Sequence, residues 1–296
     1  MYTVAGHTFD IILPSGVFDR EFLSQYAPFE EAESGRKPLF SLELVFCEDL
    51  GSVSGTLKER YNDLPPYFWL FEKDGEYRFG FSLSDKKSGC VVVPENGGLG
   101  KNVVYVPAGA SRGHSLFALN NAMMLLFTLC TTPLDTLMIH ASVTCHKGRA
   151  FVFLGKSGTG KSTHSRLWLE NIPDTFLLND DNPAIRLVDG VPVVFGTPWS
   201  GKTPCYKNDS RPMGAYVRLE QAPHNRIIRL SPLQAYAALM PSCSCMRWES
   251  RACEALHKTV EKVIMAVPGF HLECLPDAAA AWMSHDAALA VLDNVK

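Results

Sequence analysis

The chain has 296 residues, 46% of them hydrophobic and 20% charged, with a formal net charge of -3. That balance excludes a disordered chain, and the slight negative charge excludes general attraction to nucleic-acid backbones or anionic membrane surfaces. At this length one large domain or two of moderate size are expected.

Up to about residue 108 the chain reads as short strands: TVAGHTFDII, FSLELVF, YFWLFEK, YRFGFSL, CVVVP and NVVYV. Asp74-Gly75 lies between two aromatic-rich runs, and Asp-Gly accepts the positive φ values of a primed hairpin turn. Tyr67, Phe68, Trp69, Phe71, Tyr77, Phe79 and Phe81 interleave along this hairpin. They fit a sheet core or subunit interface better than a ligand-stacking platform. MYTVAGHTFD at the start lacks the basic and long apolar regions of a secretion signal.

Ser115 to Leu134 carries no charge and is long enough to cross a bilayer, but it includes Asn120, Asn121 and three threonines. We read it as a buried helix with Leu116, Leu119, Met123, Leu126 and Cys130 on one face. No membrane or nucleic-acid partner is expected. Nine cysteines without repeated pair spacing fit free thiols in a reducing cytoplasm.

A strand is expected near Thr136 to Cys145, then a turn at His146-Lys147-Gly148 and a second strand ending at Gly155. So short a turn makes the two strands antiparallel neighbours. The stretch VFLGKSGTGKST follows, in which Gly155, Gly160, Lys161 and Ser162 satisfy G-x-x-x-x-G-K-[ST]. Composition alone yields about 0.01 such matches in a chain of this length. The glycines allow a tight turn whose N–H groups face anionic oxygens, and the helix that follows adds its positive dipole end. Gly155, Ser157, Gly158, Thr159, Gly160, Lys161, Ser162 and Thr163 are therefore the expected nucleotide-binding residues. Lys161 can bridge the β- and γ-phosphates of ATP, and the Ser162 hydroxyl can bind Mg²⁺.

In DTFLLNDDNP a strand from Thr175 to Asn179 leads into Asp180 and Asp181. Acids at the end of a buried strand downstream of a phosphate loop can hold Mg²⁺, and one of two can instead accept a proton from an attacking hydroxyl. Their plainer reading is the start of a turn. His140 is a polar residue in the apolar run TLMIHASVT. It is either a hydrogen-bonded core residue or, through the hairpin, a group within reach of the nucleotide.

Ala184–Val188 and Val191–Phe195 flank Asp189-Gly190 as another hairpin. GTPWSGK, residues 196 to 202, is either a loop supplying a cation or an acceptor contact, or an ordinary surface turn. Helices are expected from Pro232, from Glu249 to Met265, and from Pro276 onward. Cys243, Cys245, Cys253 and His257 carry zinc-binding chemistry at a spacing that matches no familiar structural site.

The combination I-H-A-S-V, G-K-S-G-T-G-K-S-T and L-L-N-D-D resembles the HPr kinase/phosphorylase group and the HPr-kinase-like proteins of the phosphoenolpyruvate carboxykinase (ATP) superfamily. The resemblance spans roughly residues 112 to 296 and is most specific over 138 to 182. It implies an α/β (α+β) fold, with a mixed-sheet P-loop kinase domain over 111–296 preceded by a small beta-rich domain over 1–110. The implied activity is ATP- and Mg²⁺-dependent phosphoryl transfer to a hydroxyl of a peptide, protein or metabolite, by a protein that self-associates. Carried onto matching positions, Lys161 contacts the phosphates, Asp180 is the base, Ser162 and Asp181 face the metal, and His140 neighbours the phosphates. Where protein-substrate members of the group place a glycine-rich second signature, this chain has GTPWSGK. That departure weighs against HPr as the acceptor. Of the later arginines, Arg211, Arg226 and Arg229 are available.

No N-K-x-D element supports a GTPase, and no L-S-G-G-Q segment supports a transport ATPase. The second class of reading is a non-catalytic ATP sensor that uses the same loop.

Overall fold

The structure is a computed structural model that describes residues 1–31, 37–62, 65–85, 87–201, 203–244 and 250–293. The chain forms two units, Met1–Cys130 and Thr131–Lys296.

In the first unit, β1 (Tyr2–Val4), β2 (His7–Ile12), β3 (Phe40–Cys47), β4 (Thr56–Tyr61), β5 (Tyr67–Lys73), β6 (Glu76–Ser82), β7 (Cys90–Glu95) and β8 (Gly98–Pro107) build one sheet. Its order is β1-β2-β3-β8-β7-β6-β5-β4. The β2–β3 and β3–β8 pairs are parallel and the rest antiparallel. Asp74 and Gly75 turn β5 into β6 with φ of 57° and 80°, as a primed turn requires. Trp69, Phe71, Phe79 and Phe81 are buried, whereas Tyr77 is 49% exposed, so this aromatic set is chiefly sheet core. The edge strand β4, TLKERY, escapes the sequence reading because its residues are mostly exposed and show no alternation. A short helix α1 (Leu50–Ser54), capped by Asp49, precedes it.

Helix α2 (Arg112–Thr131) carries Ala118, Leu119, Ala122, Met123, Leu126 and Phe127 without exposed surface. Phe127 meets Phe9 edge-on at 6.3 Å, and Phe9 stacks on Phe40 at 5.3 Å. The helix thus closes the core of the first sheet, which is why the units divide after Cys130 instead of near residue 110. Arg112–Leu134 has the length and hydropathy of a bilayer-crossing segment, yet 61% of its most apolar window is buried within the protein. Asn120 is satisfied there, accepting from the Tyr26 hydroxyl and the Gln25 amide at 2.8 Å each.

The second unit contains β9 (Thr136–Met138), β10 (Ala141–His146), β11 (Arg149–Leu154), α3 (Lys161–Asn171), β12 (Phe176–Asp181), β13 (Ala184–Val188), β14 (Val191–Phe195), β15 (Ser210–Gln221), β16 (Arg226–Arg229), α4 (Pro232–Leu239), α5 (Ser250–Ala266), β17 (Gly269–Cys274) and α6 (Ala278–Asp293). Its sheet is mixed. β12, β10, β11 and β15 are neighbours in that order, and β15 then continues to β17 and β16. The first residues of β15 instead pair with β14, which leads to β13 and β9. The fold class is therefore α/β with mixed sheets.

Alternation along β11 sets two faces. Ala150, Val152 and Leu154 join Leu239, Leu256, Val260 and Val263 from α4 and α5 in one core. Phe151 and Phe153 join Trp168, Ala281 and Ala288 from α3 and α6 in the other. Lys147 and Gly148, with φ of 47° and 72°, turn β10 into β11 as an antiparallel hairpin.

The strand expected over 136–145 is two strands. At Ile139 and His140 the backbone N–H groups donate to Pro183 and Ser242 instead of to a sheet neighbour, at 3.1 and 2.7 Å. The chain crosses there from the β13 side to the β11 side. The eight described cysteines are free thiols, and burial pushes Cys90, Cys130 and Cys145 up to about 12. Cys245 and Glu249 lie outside the described residues, as does Lys202.

Candidate functional site

β12 runs in the same direction as β11, because each is antiparallel to β10, and β15 and β17 are parallel to β11. Four strands thus end at one edge of the sheet. Asp181 ends β12, Gly155 follows β11, Gln221 ends β15 and Cys274 ends β17, while β10 starts there beside His140. In open α/β sheets this carboxyl-terminal edge is where ligands bind.

The turn from Gly155 to Gly160 joins β11 to α3. Gly158 and Gly160 take φ of 82° and 104°, which a residue with a side chain adopts only under strain. Gly160 caps α3 without any side-chain hydrogen bond. The first-turn amides of the helix, those of Lys161, Ser162 and Thr163, are thus left to solvent or an anion. Thr159 folds back onto the turn, its hydroxyl donating to the Lys156 carbonyl at 2.7 Å. Ser157 and Ser162 are exposed, and Thr163 is half-buried.

Lys161 is buried, and its ammonium donates to the Gly155 carbonyl at 2.9 Å and to His140 Nε2 at 3.0 Å. Burial pushes the Lys161 pKa down, and the Asp181 and Asp180 carboxylates oppose that shift. His140 Nδ1 lies 3.0 Å from Asp181 Oδ1. An ammonium has no lone pair, so His140 accepts at Nε2 and carries its proton on Nδ1, which donates to Asp181.

Pairing of β10 with β12 sets Ala141 opposite Asp181 and Ser142 opposite Asp180, which brings Asp181 against His140 and both acids within electrostatic reach of Lys161. Asp180 is only 6% exposed, and among the described residues no donor reaches its carboxylate. Its oxygens are not among the buried unpaired polar atoms, so the small exposed part of the residue includes the carboxylate, open to a ligand at this edge. Asp181 takes φ of 149°, and its second oxygen accepts from the Asn182 amide at 2.8 Å.

The segment after β14 is neither a surface turn nor a free loop. Thr197 and Trp199 are buried, Gly201 N donates to the Asp180 carbonyl at 2.7 Å, and Ser200 bridges to Asp181. Asn179 locks this strap: its amide reaches Thr197 Oγ1 at 3.2 Å and the Trp199 carbonyl at 3.3 Å, and its own carbonyl accepts from Asn182 N at 3.1 Å. A lone asparagine between a leucine run and two acids reads as turn chemistry, so the sequence carries little signal of that lock.

Behind the turn, Trp168 Nε1 donates to Ser284 Oγ at 2.9 Å and Ser284 donates to the Ala281 carbonyl, which ties α3 to α6. His164 Nε2 also contacts Ser284 Oγ at 2.9 Å, and burial pushes this imidazole down to about 4. Arg211 pairs with Asp209 and lies over the Phe176 ring, while Arg226 and Arg229 sit on the β16 strand.

Among the described residues no group of three or more His, Cys, Asp and Glu side chains is placed to hold a metal ion. Cys243, Cys253 and His257 therefore form no such group, and the His257 ring instead bonds the Tyr236 hydroxyl. A metal at the sheet edge would draw on Asp181 and the Ser162 hydroxyl together with oxygens of a bound ligand. That oxygen-only donor set suits a hard cation such as Mg²⁺.

No protein-family profile matches the chain, and no curated protein was found to be significantly similar to it.

Proposed function

We propose that the second unit is a P-loop kinase domain of the HPr kinase type, which moves the γ-phosphate of ATP to a hydroxyl of a peptide, protein or metabolite. The observation that carries this reading is the hydrogen-bonded chain of Lys161, His140 and Asp181 at the edge where Asp180 presents a carboxylate that no donor of the described residues engages. A purely structural turn has no use for such an acid.

In this reading the amides of residues 155–163 and the Lys161 ammonium hold the polyphosphate. Lys161 exchanges its carbonyl and His140 partners for phosphate oxygens. Asp181 and Ser162 would hold Mg²⁺, which neutralises charge on the transferred group. Asp180 accepts the proton of the acceptor hydroxyl as that oxygen bonds to the γ-phosphorus and the bond to the β–γ bridging oxygen breaks, releasing ADP. His140 fixes the orientation of Asp181. The free thiols support a cytoplasmic setting.

The test is Asp180→Asn in the full chain, assayed with γ-labelled ATP and fractionated extract. The variant is expected to bind MgATP within a few-fold of the native protein and to lose transfer. Native protein that binds ATP yet labels no peptide or small-molecule pool would favour the non-catalytic sensor.

A further inference from the structure

The sheet order gives the edge a direction. The acids lie on β12, to one side of the turn, with His140 just before the intervening strand β10. The γ end of a bound triphosphate therefore points toward β10 and β12. Its other end must leave across β15 and β17, one and two strand spacings away, roughly 5 and 10 Å.

A cavity lies in that direction. It has a volume of about 310 Å³ and runs from Thr159 and Gly160 along α3 to the ends of β15 and β17. Leu167, Leu219, Ala222, Cys274, Leu275 and Pro276 line it. A second hollow of about 480 Å³ over Gly155–Thr159 shares Thr159, Leu219 and Gln221 with it, so the two are adjacent. The size falls within the range of small-molecule sites, and the walls are those of a slot for a flat, apolar-faced group. Two main-chain donors at its rim are already engaged, Ala222 N with the Cys274 carbonyl at 3.2 Å and Leu275 N with Asn225 Oδ1 at 2.8 Å. The slot offers contact area more than an edge-reading pattern.

We propose that this slot binds the nucleoside end of the triphosphate, with the base between the α3 face at Leu167 and the strand ends at Ala222 and Cys274. The inference rests on the phosphate-binding reading of the turn. It adds which side of the turn the base occupies and which residues touch it.

The full chain is titrated calorimetrically with MgATP and with magnesium tripolyphosphate, and Cys274 alkylation by iodoacetamide is followed by peptide mass spectrometry. ATP should bind at least about tenfold more tightly, equal to about 1.4 kcal/mol. Ala222→Phe fills the slot and should erase that advantage while tripolyphosphate affinity stays unchanged. ATP should slow Cys274 alkylation and tripolyphosphate should not. If Ala222→Phe fails to fold, protection of Cys274 in the native chain decides. Equal affinities with Cys274 unprotected would overturn the slot and leave the phosphate reading standing. If neither polyphosphate binds, the phosphate reading fails and the slot falls with it.

Discussion

His140 Nδ1 lies 3.0 Å from Asp181 Oδ1, while the opposite nitrogen of the same ring lies 3.0 Å from the Lys161 ammonium. The imidazole therefore positions an acid at the end of β12 and a lysine at the start of α3. Outer partners of this kind typically alter metal affinity by about 10- to 100-fold when removed. His140→Ala should raise the Mg²⁺ concentration needed for half-maximal transfer by about tenfold. His140→Gln, which keeps a donor toward Asp181, should recover part of that loss. A magnesium titration of both variants at saturating ATP checks this, and an unchanged magnesium midpoint in His140→Ala would refute the positioning role.

Gly201 approaches the acids closely enough that even a methyl group would be crowded. A Cβ there would lie 3.1 Å from Asp181 Cβ and 3.2 Å from the Asp180 carbonyl oxygen. Both neighbours belong to a strand end already fixed by pairing with β10, so the strap would have to shift. Gly201→Ala should cost about 1–2 kcal/mol in stability, as over-packing usually does. It should also depress transfer more than ATP binding, since the turn at Gly155–Gly160 is untouched. A thermal melt paired with separate binding and rate measurements tests the claim, and equal losses in both would count against it.

Much of this site is legible in the sequence because its parts are local. Asp74-Gly75, Lys147-Gly148 and Asp189-Gly190 each announce a hairpin, and each takes positive φ. The glycine-rich turn and the run into Asp180 and Asp181 are contiguous motifs. What escapes is non-local. β15 joins the two branches of the second sheet and β17 extends it, yet β15 pairs in parallel with β11 and β17 with β15 across dozens of residues, and no turn marks those pairings. The break at His140 likewise depends on carbonyls of Pro183 and Ser242. The strap is hidden for the same reason, since Asn179 finds Thr197 and Trp199 only after β13 and β14 have folded between them. Helix α2 shows its apolar character in sequence but not the sheet it covers.

The deepest titratable group near the turn gives the last prediction. Ser284 Oγ donates to the Ala281 carbonyl and accepts from Trp168 Nε1, so its contact with His164 Nε2 is one in which the imidazole donates. His164 is therefore neutral with its proton on Nε2, and a second proton would place an uncompensated charge inside the α3–α6 contact. Its folded pKa of about 4 lies below the ordinary 6.5. Between those values the unfolded chain binds a proton that the folded chain does not, so stability rises with pH in that window. The contribution is complete above the ordinary histidine range and is lost as pH falls through it toward 4. At about 1.4 kcal/mol for each unit of pKa difference, the loss amounts to about 3 kcal/mol. Burial also pushes His146 down, so a smaller slope of the same sign persists when His164 is replaced. Urea unfolding of native protein and His164→Gln across this window should show a steep fall for the native chain and a shallow one for the variant. Parallel curves would mean that His164 is not the group responsible.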